Sequence, residues 1–247
     1  MNSIQLLNED CLEVLRDLPD QSIDFMLLDE PFNSTSHAWD KEVLPQAELW
    51  EEKIRVIKPT GVIAHFAVGI YAAKLIYYNL KGYKFPWFWE KEQGGNFAVA
   101  KHQPLSVIEQ ILIFTGHGEK CFYSPILTKG KMRMKGGKNS AKNGSGFGGI
   151  KNIAYMSDTY LPRNVLRFPG VPRKKRLHPS EKPVDLLKYL IETHCPIGGT
   201  ILDYTMGSGS TVVAAIETRR HCIGVENDKD IFNTACNRIQ AVQSKTT

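Results

Sequence analysis

Hydrophobic and polar positions alternate along the chain in blocks that predict strands and helices in turn. Residues 3–7 form a short apolar segment, and residues 23–28 end in an unbroken apolar run. Such a run predicts a strand of a parallel sheet that is covered on both faces. Between the two segments, residues 11–18 have apolar positions at helical spacing, and Asp10 is a suitable N-cap. The opening of the chain therefore predicts a strand, a helix and a second strand.

The same alternation continues on either side of one interruption. Further strands are predicted at residues 61–68, 85–91, 107–114, 200–204 and 221–228. Further helices are predicted at residues 47–57, 72–80, 184–194, 211–220 and 230–242. Strands that alternate with helices predict an α/β fold with a doubly wound, mostly parallel sheet.

The interruption runs from residue 115 to residue 153, where apolar periodicity stops. Residues 129–151 contain seven glycines and seven basic residues, so this stretch cannot form a core of its own. From residue 129 to residue 176, thirteen Lys and Arg stand against one acid, Asp158. This region carries a net charge of +12 while the whole chain carries +5, which leaves −7 elsewhere. We interpret it as a basic arm that orders on a polyanion, with a disordered loop as the alternative.

Composition excludes several classes of protein. The chain has 247 residues, and no apolar run approaches the roughly 18 residues of a membrane span. The N-terminal sequence has no signal-peptide pattern, so we expect a soluble, cytoplasmic protein. The five cysteines are scattered without a C-x-x-C pair, which predicts reduced thiols and no metal site.

A glycine turn near the end of the chain predicts a cofactor site. Residues 203–211 link a predicted strand to a helix, whose free N–H groups can bind an anion. Glu226 ends the next strand, 17 residues after Gly209, where a carboxylate meets ribose hydroxyls in Rossmann-type folds. Val212 replaces the third glycine of a dinucleotide fingerprint, and the G-K-[ST] of a P-loop is absent. The site therefore predicts an adenosine with a small carboxylate, as in S-adenosylmethionine.

The order of these segments predicts a circular permutation. A glycine turn normally follows the first strand of a Rossmann-like domain, but here it follows one of the last. In a permuted sheet, Asp29 and Gly207 would lie at the carboxyl ends of adjacent strands. Ligands bind in the crevice at such a switch point.

Several motifs together resemble the β-class amino-methyltransferases of DNA, which act on adenine N6 or cytosine N4. The family's D-P-P-Y corresponds to Asp29-Glu30-Pro31-Phe32, and its H-P-T-Q-K-P corresponds to residues 178–183. Its D-x-F-M-G-S-G-T-T corresponds to residues 203–211, with Tyr204 at the unrestricted position and Thr205 and Ser210 substituted. Its G-D-C-L and K-x-x-P-L-x-x-x-E-x-I-L-x-F resemble residues 9–12 and 101–114.

The resemblance implies a Rossmann-like, permuted S-adenosylmethionine-dependent methyltransferase fold with a basic insert. It divides the chain into a catalytic half at 1–114, a target-recognition region at 115–176 and a cofactor-binding half at 177–247. It implies chemistry at Asp29, Glu30, Pro31 and Phe32. It implies cofactor contacts at Asp10, Cys11, Asp29, Ser180, Lys182, Pro183, Asp203, Thr205, Met206, Gly207, Ser208, Gly209, Ser210, Thr211, Glu226 and Asn227. The candidate DNA contacts are Lys101, Lys129, Lys131, Arg133, Lys135, Lys138, Lys142, Arg173, Lys174, Lys175 and Arg176.

The first motif predicts the chemistry and also departs from the family. Asp29 and the main-chain carbonyl of residue 30 can accept the two N–H groups of an exocyclic amine, while Phe32 stacks on the flipped base. Asp at the first position favours adenine N6, whereas the cytosine-N4 members more often have Ser. Glu30 places a second carboxylate beside Asp29 and the incoming DNA, which predicts that one of the two pKa values rises.

Three alternatives to an adenine-N6 enzyme acting on double-stranded DNA stay open at this point. They are a cytosine-N4 enzyme, a nucleic-acid-binding protein that has lost catalysis, with Glu30 as its trace, and an enzyme acting on RNA. A homodimer and a cognate restriction endonuclease are both compatible with the sequence.

Overall fold

The computed structural model describes residues 2–31, 44–116, 120–135 and 154–246. The strands are β1 Ile4–Leu7, β2 Ile23–Leu28, β3 Ile57–Ala67, β4 Tyr83–Gly95, β5 Ser106–Phe114, β6 Thr128–Lys135, β7 Tyr155–Tyr160, β8 Val165–Arg167, β9 Thr200–Asp203 and β10 His221–Val225. The helices are α1 Cys11–Asp17, α2 Gln46–Val56, α3 Gly69–Tyr78, α4 Val184–His194, α5 Ser210–Glu217 and α6 Lys229–Thr246. Single 3-10 turns occur at Phe97–Val99 and Arg173–Lys175.

The larger sheet confirms the predicted α/β class. Its order over the described residues is β1-β10-β9-β2-β3-β5-β4-β8. The strands from β1 to β3 in this order are all parallel, and β5 then pairs antiparallel with both β3 and β4. Strand β9, near the end of the sequence, lies directly beside β2, with Phe25 opposite Ile201 and Met26 opposite Leu202. The permuted order therefore brings the glycine turn next to the segment that follows β2.

Both faces of this sheet are covered, which explains the unbroken apolar run in β2. Phe25 and Leu27 pack in a core with α4, α5 and α6. Met26 and Leu28 pack on the opposite face with α1, α2 and α3. Because neither face of the strand meets water, successive positions are apolar and the usual alternation is lost.

Two local signals specify the first and fourth helices. Asp10 caps α1, because its carboxylate accepts hydrogen bonds from the N–H groups of Leu12 and Glu13. The residue before α4 is Pro183, and this helix covers the predicted residues 184–194 without a shift at either end. None of the described helices combines the length and apolarity that a bilayer span requires.

The basic stretch differs from the patternless loop expected after residue 115. Residues 128–135 form β6, which pairs antiparallel with β7. Nearly every side chain of β6 is exposed, so the strand has no apolar face that its sequence could reveal. It is held by pairing with residues that lie 20 to 32 positions away in the sequence. The predicted behaviour of residues 136–153 lies outside the described residues.

The chain divides into two compact units. One comprises residues 1–124 and 164–247, and the other comprises residues 125–163. The second unit is shorter than the predicted target-recognition region, residues 115–176. Strand β8 belongs to the larger sheet, where it pairs with β4 and buries Leu166.

Candidate active site

A cavity of about 520 Å³ opens at the carboxyl ends of β1, β10, β9 and β2. The predicted cofactor residues in its lining are Asp10, Cys11, Asp29, Ser180, Lys182, Asp203, Thr205, Met206, Gly207, Ser208, Ser210, Thr211, Glu226 and Asn227. Pro183 and Gly209 are not part of this lining, since Pro183 is buried at the start of α4 and Gly209 precedes α5. The structure thus brings together residues that are up to about 217 positions apart in the sequence.

The glycine turn has the backbone that only glycine adopts easily. Gly207 and Gly209 have φ values of 51° and 79°. A Cβ atom on Gly209 would lie 3.0 Å from Ile239 Cδ1 and 3.3 Å from Ala235 Cβ, so α6 leaves no room for a side chain. The turn is therefore fixed both by its own backbone and by the helix that packs behind it.

An arginine that the sequence motifs did not indicate supports this turn. Arg238 of α6 donates hydrogen bonds to the Ser208 carbonyl at 3.1 Å and to Ser210 Oγ at 2.9 Å. It also pairs with Glu181 at 2.9 Å. Glu181 belongs to the H-P-S-E-K-P motif, so Arg238 links that motif to the glycine turn.

Glu226 lies where a ribose-binding carboxylate is expected. Its Oε2 accepts a hydrogen bond from the Gly207 N–H at 3.0 Å, and its Oε1 accepts one from the Asp228 N–H at 2.9 Å. Burial raises the pKa of this carboxyl group. Both bonds hold the side chain at the cavity wall beside the turn.

Asp203 is a second buried acid at this end of the cavity. It accepts a hydrogen bond from the Thr205 N–H at 3.1 Å. Burial raises the pKa of Asp203 to about 7, and the nearby charges of Asp29 and Glu226 add to the rise. The hydroxyl of Thr205 has no hydrogen-bond partner among the described residues.

Asp29 heads a row of alternating charges in the cleft. Its Oδ2 lies 2.5 Å from Lys182 Nζ, which also lies 3.2 Å from Glu109 Oε1. Glu109 in turn pairs with Lys91 at 2.5 Å. The other oxygen of Asp29, Oδ1, is buried and has no hydrogen-bond partner among the described residues. Asp29 therefore keeps one acceptor available while Lys182 holds the other.

Burial and the neighbouring charges act against each other on the pKa values of Asp29 and Lys182. Burial raises the pKa of Asp29, the positive charge of Lys182 opposes that rise, and the negative charge of Glu109 adds to it. Burial lowers the pKa of Lys182, but Asp29 and Glu109 outweigh it, so the net pKa of Lys182 is raised. Lys182 was predicted to contact the cofactor, and its contacts in the structure are with these two carboxylates.

The Glu30 carboxylate does not enter the cleft with that of Asp29, so this expectation from the sequence is wrong. The whole residue is 1% exposed, and its side chain points into the core. It accepts hydrogen bonds from Gln46 Nε2 at 2.6 Å, from the Tyr71 hydroxyl at 2.5 Å and from the Tyr204 hydroxyl. Lys53 Nζ lies 3.3 Å from Oε1. We call these five side chains the Glu30 network.

The electrostatics of Glu30 also correct the sequence prediction. Burial alone would raise its pKa, but Lys53 and the hydrogen bonds from Tyr204 and Tyr71 lower it to about 2. Burial lowers the pKa of His65 to about 3, with the charge of Lys53, 3.2 Å away, adding to the effect. One pKa of the adjacent acids does rise, that of Asp29, but through burial and Glu109 rather than through Glu30.

The remaining predicted residues occupy several places. Pro31 lines the cavity, whereas Phe32, Lys138 and Lys142 lie outside the described residues. Lys129, Lys131, Arg133 and Lys135 lie on β6 of the smaller unit. Lys101 and the exposed residues 173–176 belong to the larger unit. No group of three or more His, Cys, Asp or Glu within the described ranges is arranged to hold a metal ion.

Sequence reasoning missed the residues whose role depends on distant partners. Glu109 stands within the motif quoted for residues 101–114, and its position there was an available signal. Lys53 and Arg238 carried no such signal, because each acts through residues of another element. Tyr204 stands within the motif of residues 203–211, but its bond to Glu30 could not be predicted from that position.

Comparisons with known proteins agree on the class of protein. The family model N6_N4_Mtase, described as DNA methylase, matches residues 23–237. The Type II methyltransferase M.BglII of Bacillus subtilis is 26% identical over 254 residues, which cover 94% of this chain and 67% of that protein.

Solved structures share the fold at lower identity. The M1.HpyAVI–SAM complex superposes with a TM-score of 0.62 at 20% identity, covering 95% of this chain and 99% of the other. The cytosine-N4-specific PvuII DNA methyltransferase gives 0.66 at 14% identity, covering 99% and 93%. The predicted Rossmann-like fold is thereby confirmed.

Proposed function

The chain belongs to the DNA methylase family of N6 and N4 amino-methyltransferases, and from this premise we propose that it methylates adenine N6 in double-stranded DNA. The methyl donor in this proposal is S-adenosylmethionine, and the target base is flipped out of the helix. The observation that carries the proposal is Asp29, which presents an unpartnered acceptor at the wall of the cavity.

The cavity fits an adenosine-containing cofactor on its own features. The glycine turn permits a close backbone approach, and Glu226 stands at the end of the neighbouring strand, where ribose hydroxyls are bound in this type of fold. The buried hydroxyl of Thr205 has no partner among the described residues, so it can bond to a ligand. When bound, S-adenosylmethionine supplies an electrophilic methyl group. M1.HpyAVI, a fold relative, has been solved with this cofactor.

The carboxylate of Asp29 performs the central step of the proposed reaction. The lone pair of an exocyclic amine is delocalised into the base, so the nitrogen is a poor nucleophile until its N–H groups are held out of the ring plane. Asp29 Oδ1 accepts one N–H, and the main-chain carbonyl of residue 30 accepts the other. Fixed acceptors in a largely buried site favour the positive charge that develops on nitrogen. Lys182, bound to Oδ2, keeps the carboxylate from rotating away.

The buried position of Glu30 supports an active enzyme rather than a degenerate one. A second carboxylate in the cleft would repel the DNA backbone and compete with Asp29 for the amine. Glu30 instead turns its side chain into the core, where it is bonded to Gln46, so no second carboxylate enters the cleft. The departure from D-P-P-Y therefore leaves the acceptor pair of the proposed mechanism intact.

Adenine is preferred over cytosine because the first motif position is Asp29. The cytosine-N4 enzyme stays the second candidate, since PvuII DNA methyltransferase, which its name describes as cytosine-N4-specific, shares the fold. The two assignments differ only in which base enters the pocket in front of Asp29.

Basic residues of both units supply the proposed contacts with DNA phosphates. In the smaller unit, Lys129, Lys131 and Arg133 are exposed on β6, and a two-stranded ribbon of this kind fits the major groove of DNA. In the larger unit, the candidate phosphate contacts at residues 101 and 173–176 are also exposed. Such contacts give affinity that falls with salt but carry no sequence preference of their own.

Nucleoside analysis tests the assignment directly. The protein is incubated with S-adenosylmethionine and unmethylated DNA of mixed sequence, and the digested nucleosides are measured by mass spectrometry. We expect N6-methyladenine. Formation of N4-methylcytosine supports the second candidate instead, and an unmodified DNA in the presence of measurable DNA binding contradicts both. A parallel reaction on RNA of the same sequence distinguishes the two kinds of nucleic acid.

A further inference from the structure

Two residues of the family motifs contact each other in the core. Glu30 replaces the first proline of D-P-P-Y, and Tyr204 occupies the unrestricted second position of D-x-F-M-G-S-G-T-T. The hydroxyl of Tyr204 donates a hydrogen bond to Glu30 Oε1, although the two residues are 174 positions apart. One follows β2 and the other follows β9, which are adjacent parallel strands. The contact therefore joins the turn that carries Asp29 to the turn that lines the proposed cofactor site.

The Glu30 network is complete enough to hold a charge in the core. Glu30 and Lys53 both have side chains with 0% exposure. A buried ion pair is tolerated when hydrogen bonds satisfy its remaining lone pairs, and Gln46, Tyr71 and Tyr204 provide these bonds. Lys53 also lies 4.1 Å from the centre of the Trp50 ring, which adds a cation–π contact.

The network anchors residue 30 from several elements at once. Gln46 and Lys53 come from α2, Tyr71 from α3 and Tyr204 from the segment after β9. A carboxylate held by four donors cannot change rotamer without breaking several bonds. The backbone to which it is attached is restrained in turn. A proline would restrict this backbone through its ring, whereas Glu30 restricts it through its side chain.

We propose that Glu30 and Tyr204 are positioning residues that fix the main-chain carbonyl of residue 30 relative to the cofactor turn. The inference rests on the proposed function, because that carbonyl is the second acceptor for the target amine. Glu30 is not part of the cavity lining, and Tyr204, which is part of it, is buried and has its hydroxyl bonded to Glu30. Their contact sets the distance between the two turns, on which in-line methyl transfer depends.

A residue that only stabilises the fold would give a different result from a positioning residue. Loss of a purely structural contact lowers the folded fraction but leaves the turnover of the folded enzyme unchanged. Loss of positioning lowers kcat at saturating DNA and cofactor, while KM for DNA changes little because the phosphate contacts are elsewhere.

The test uses Tyr204→Phe, Glu30→Gln and the double variant, with Tyr83→Phe as the matched control. Tyr204→Phe removes one hydroxyl and keeps the ring, so the fold should be retained. Tyr83 is a half-buried tyrosine that packs on the same core cluster and is outside the Glu30 network. Measured quantities are kcat, KM for DNA, the dissociation constant of the cofactor and the midpoint of thermal unfolding.

We expect Tyr204→Phe to lower kcat about tenfold. A misplacement near 1 Å costs about 100-fold in rate, and the loss of one hydroxyl should displace the turn by less than that. KM for DNA should stay within about twofold of the wild-type value, because the variant leaves the phosphate contacts unchanged. The double variant should lose about as much rate as Glu30→Gln alone, because both changes act on the same hydrogen bond, for which an amide oxygen is a weaker acceptor than a carboxylate. Tyr83→Phe should keep the wild-type kcat.

Either an unchanged kcat in folded Tyr204→Phe, or a double variant whose loss is the product of the two single losses, overturns the inference. If the wild-type protein methylates no nucleic acid, the proposed function fails first and the catalytic part of the inference fails with it. The contact is then judged alone by the unfolding midpoints. Additive shifts in the double variant exclude coupling between the two turns, whereas non-additive shifts keep it.

Discussion

Asp29 and Glu30 are neighbours in the chain, yet their carboxylates enter two different networks. Asp29 lies at the cavity wall, paired with Lys182 and followed by Glu109 and Lys91. Glu30 lies in the core, paired with Lys53. The pKa of Asp29 is raised by burial with the charge of Glu109 added, whereas that of Glu30 is lowered to about 2 by Lys53 and its hydrogen bonds despite burial. Adjacent side chains leave a strand end in different directions, so adjacency in the sequence does not make a shared electrostatic site.

The two carboxylates therefore have different roles in this account. The Asp29 carboxylate has one oxygen without a hydrogen-bond partner among the described residues, and its side chain is partly exposed, which suits a group that must bind a substrate. The Glu30 carboxylate has all its bonds filled, which suits a group that must not move. Substitutions at the two positions should therefore separate activity from stability.

The largest effect is expected from Asp29→Asn on methyl transfer. The variant keeps the shape of the side chain but loses the negative charge that favours the reacting amine, and loss of one such group costs about 10²–10³-fold in rate. The free energy of unfolding should stay within about 1 kcal/mol, because Lys182 retains Glu109 as a counter-charge and burial already disfavours the ionised form of Asp29. Rates are measured in single turnover, and Asp185→Asn, an exposed change on α4, is the control. Full activity in Asp29→Asn would remove Asp29 from the mechanism.

Glu30→Gln should have the largest effect on stability. It leaves Lys53 buried without a counter-charge, and breaking a buried ion pair in this way costs about 3–5 kcal/mol. The loss is measured by urea unfolding. Adding Lys53→Met should recover much of it, since an apolar side chain replaces the unpaired ammonium group. The surface variant Glu217→Gln, which breaks an exposed pair with Lys188, should cost no more than about 1 kcal/mol. A fully stable Glu30→Gln protein contradicts this reading of the core.

The effect of Glu30→Gln should depend on pH. The pKa of Glu30 in the folded protein, about 2, lies below the value of about 4.3 for an unfolded glutamate. The folded state then binds fewer protons than the unfolded state between these values, so Glu30 contributes stability above about pH 4.3 and loses it as pH falls towards 2. The difference in unfolding free energy between wild type and variant should shrink on acidification. A difference that stays constant from pH 7 to pH 3 would show that the charge of Glu30 is not the cause.

The smallest expected effect is a shift in the pH dependence of activity in Glu109→Gln. The negative charge of Glu109 raises the pKa of Asp29, so its removal lowers that pKa. The acidic limb of the rate profile should move to lower pH, since the rate requires ionised Asp29. Glu90→Gln is the matched control, because Glu90 lies on the neighbouring strand and is ion-paired with Arg167. A limb that moves to higher pH would exclude Glu109 from the Asp29 network.

Amphipathic spacing and apolar runs in the sequence predicted the helices and strands that bury apolar side chains. Helix α4 follows from its amphipathic spacing after Pro183, and β2 follows from its apolar run. Strand β6 was not predicted, because its side chains are exposed and its pairing with β7 depends on a distant segment. Motif order predicted that Asp29 and the glycine turn share a crevice, which requires only the strand order of the sheet.

The direction of the Glu30 side chain could not be predicted from the sequence. Its partners are 16 to 174 residues away, and nothing in the motif D-E-P-F shows which of two adjacent acids turns inward. Reasoning from adjacency placed both acids near DNA, which the buried contacts of Glu30 contradict. The same limit applies to Arg238, whose support of the glycine turn depends on how α6 packs.

A side-by-side measurement of Asp29→Asn and Glu30→Gln tests the central claim most directly. Single-turnover methylation and urea unfolding are measured on both variants and on the wild type in one buffer. The account predicts that Asp29→Asn loses at least about 100-fold in rate with nearly unchanged stability, and that Glu30→Gln loses about 3–5 kcal/mol of stability with a rate loss near tenfold. It is contradicted if Glu30→Gln is as stable as wild type and as inactive as Asp29→Asn, because both acids would then act in the cleft.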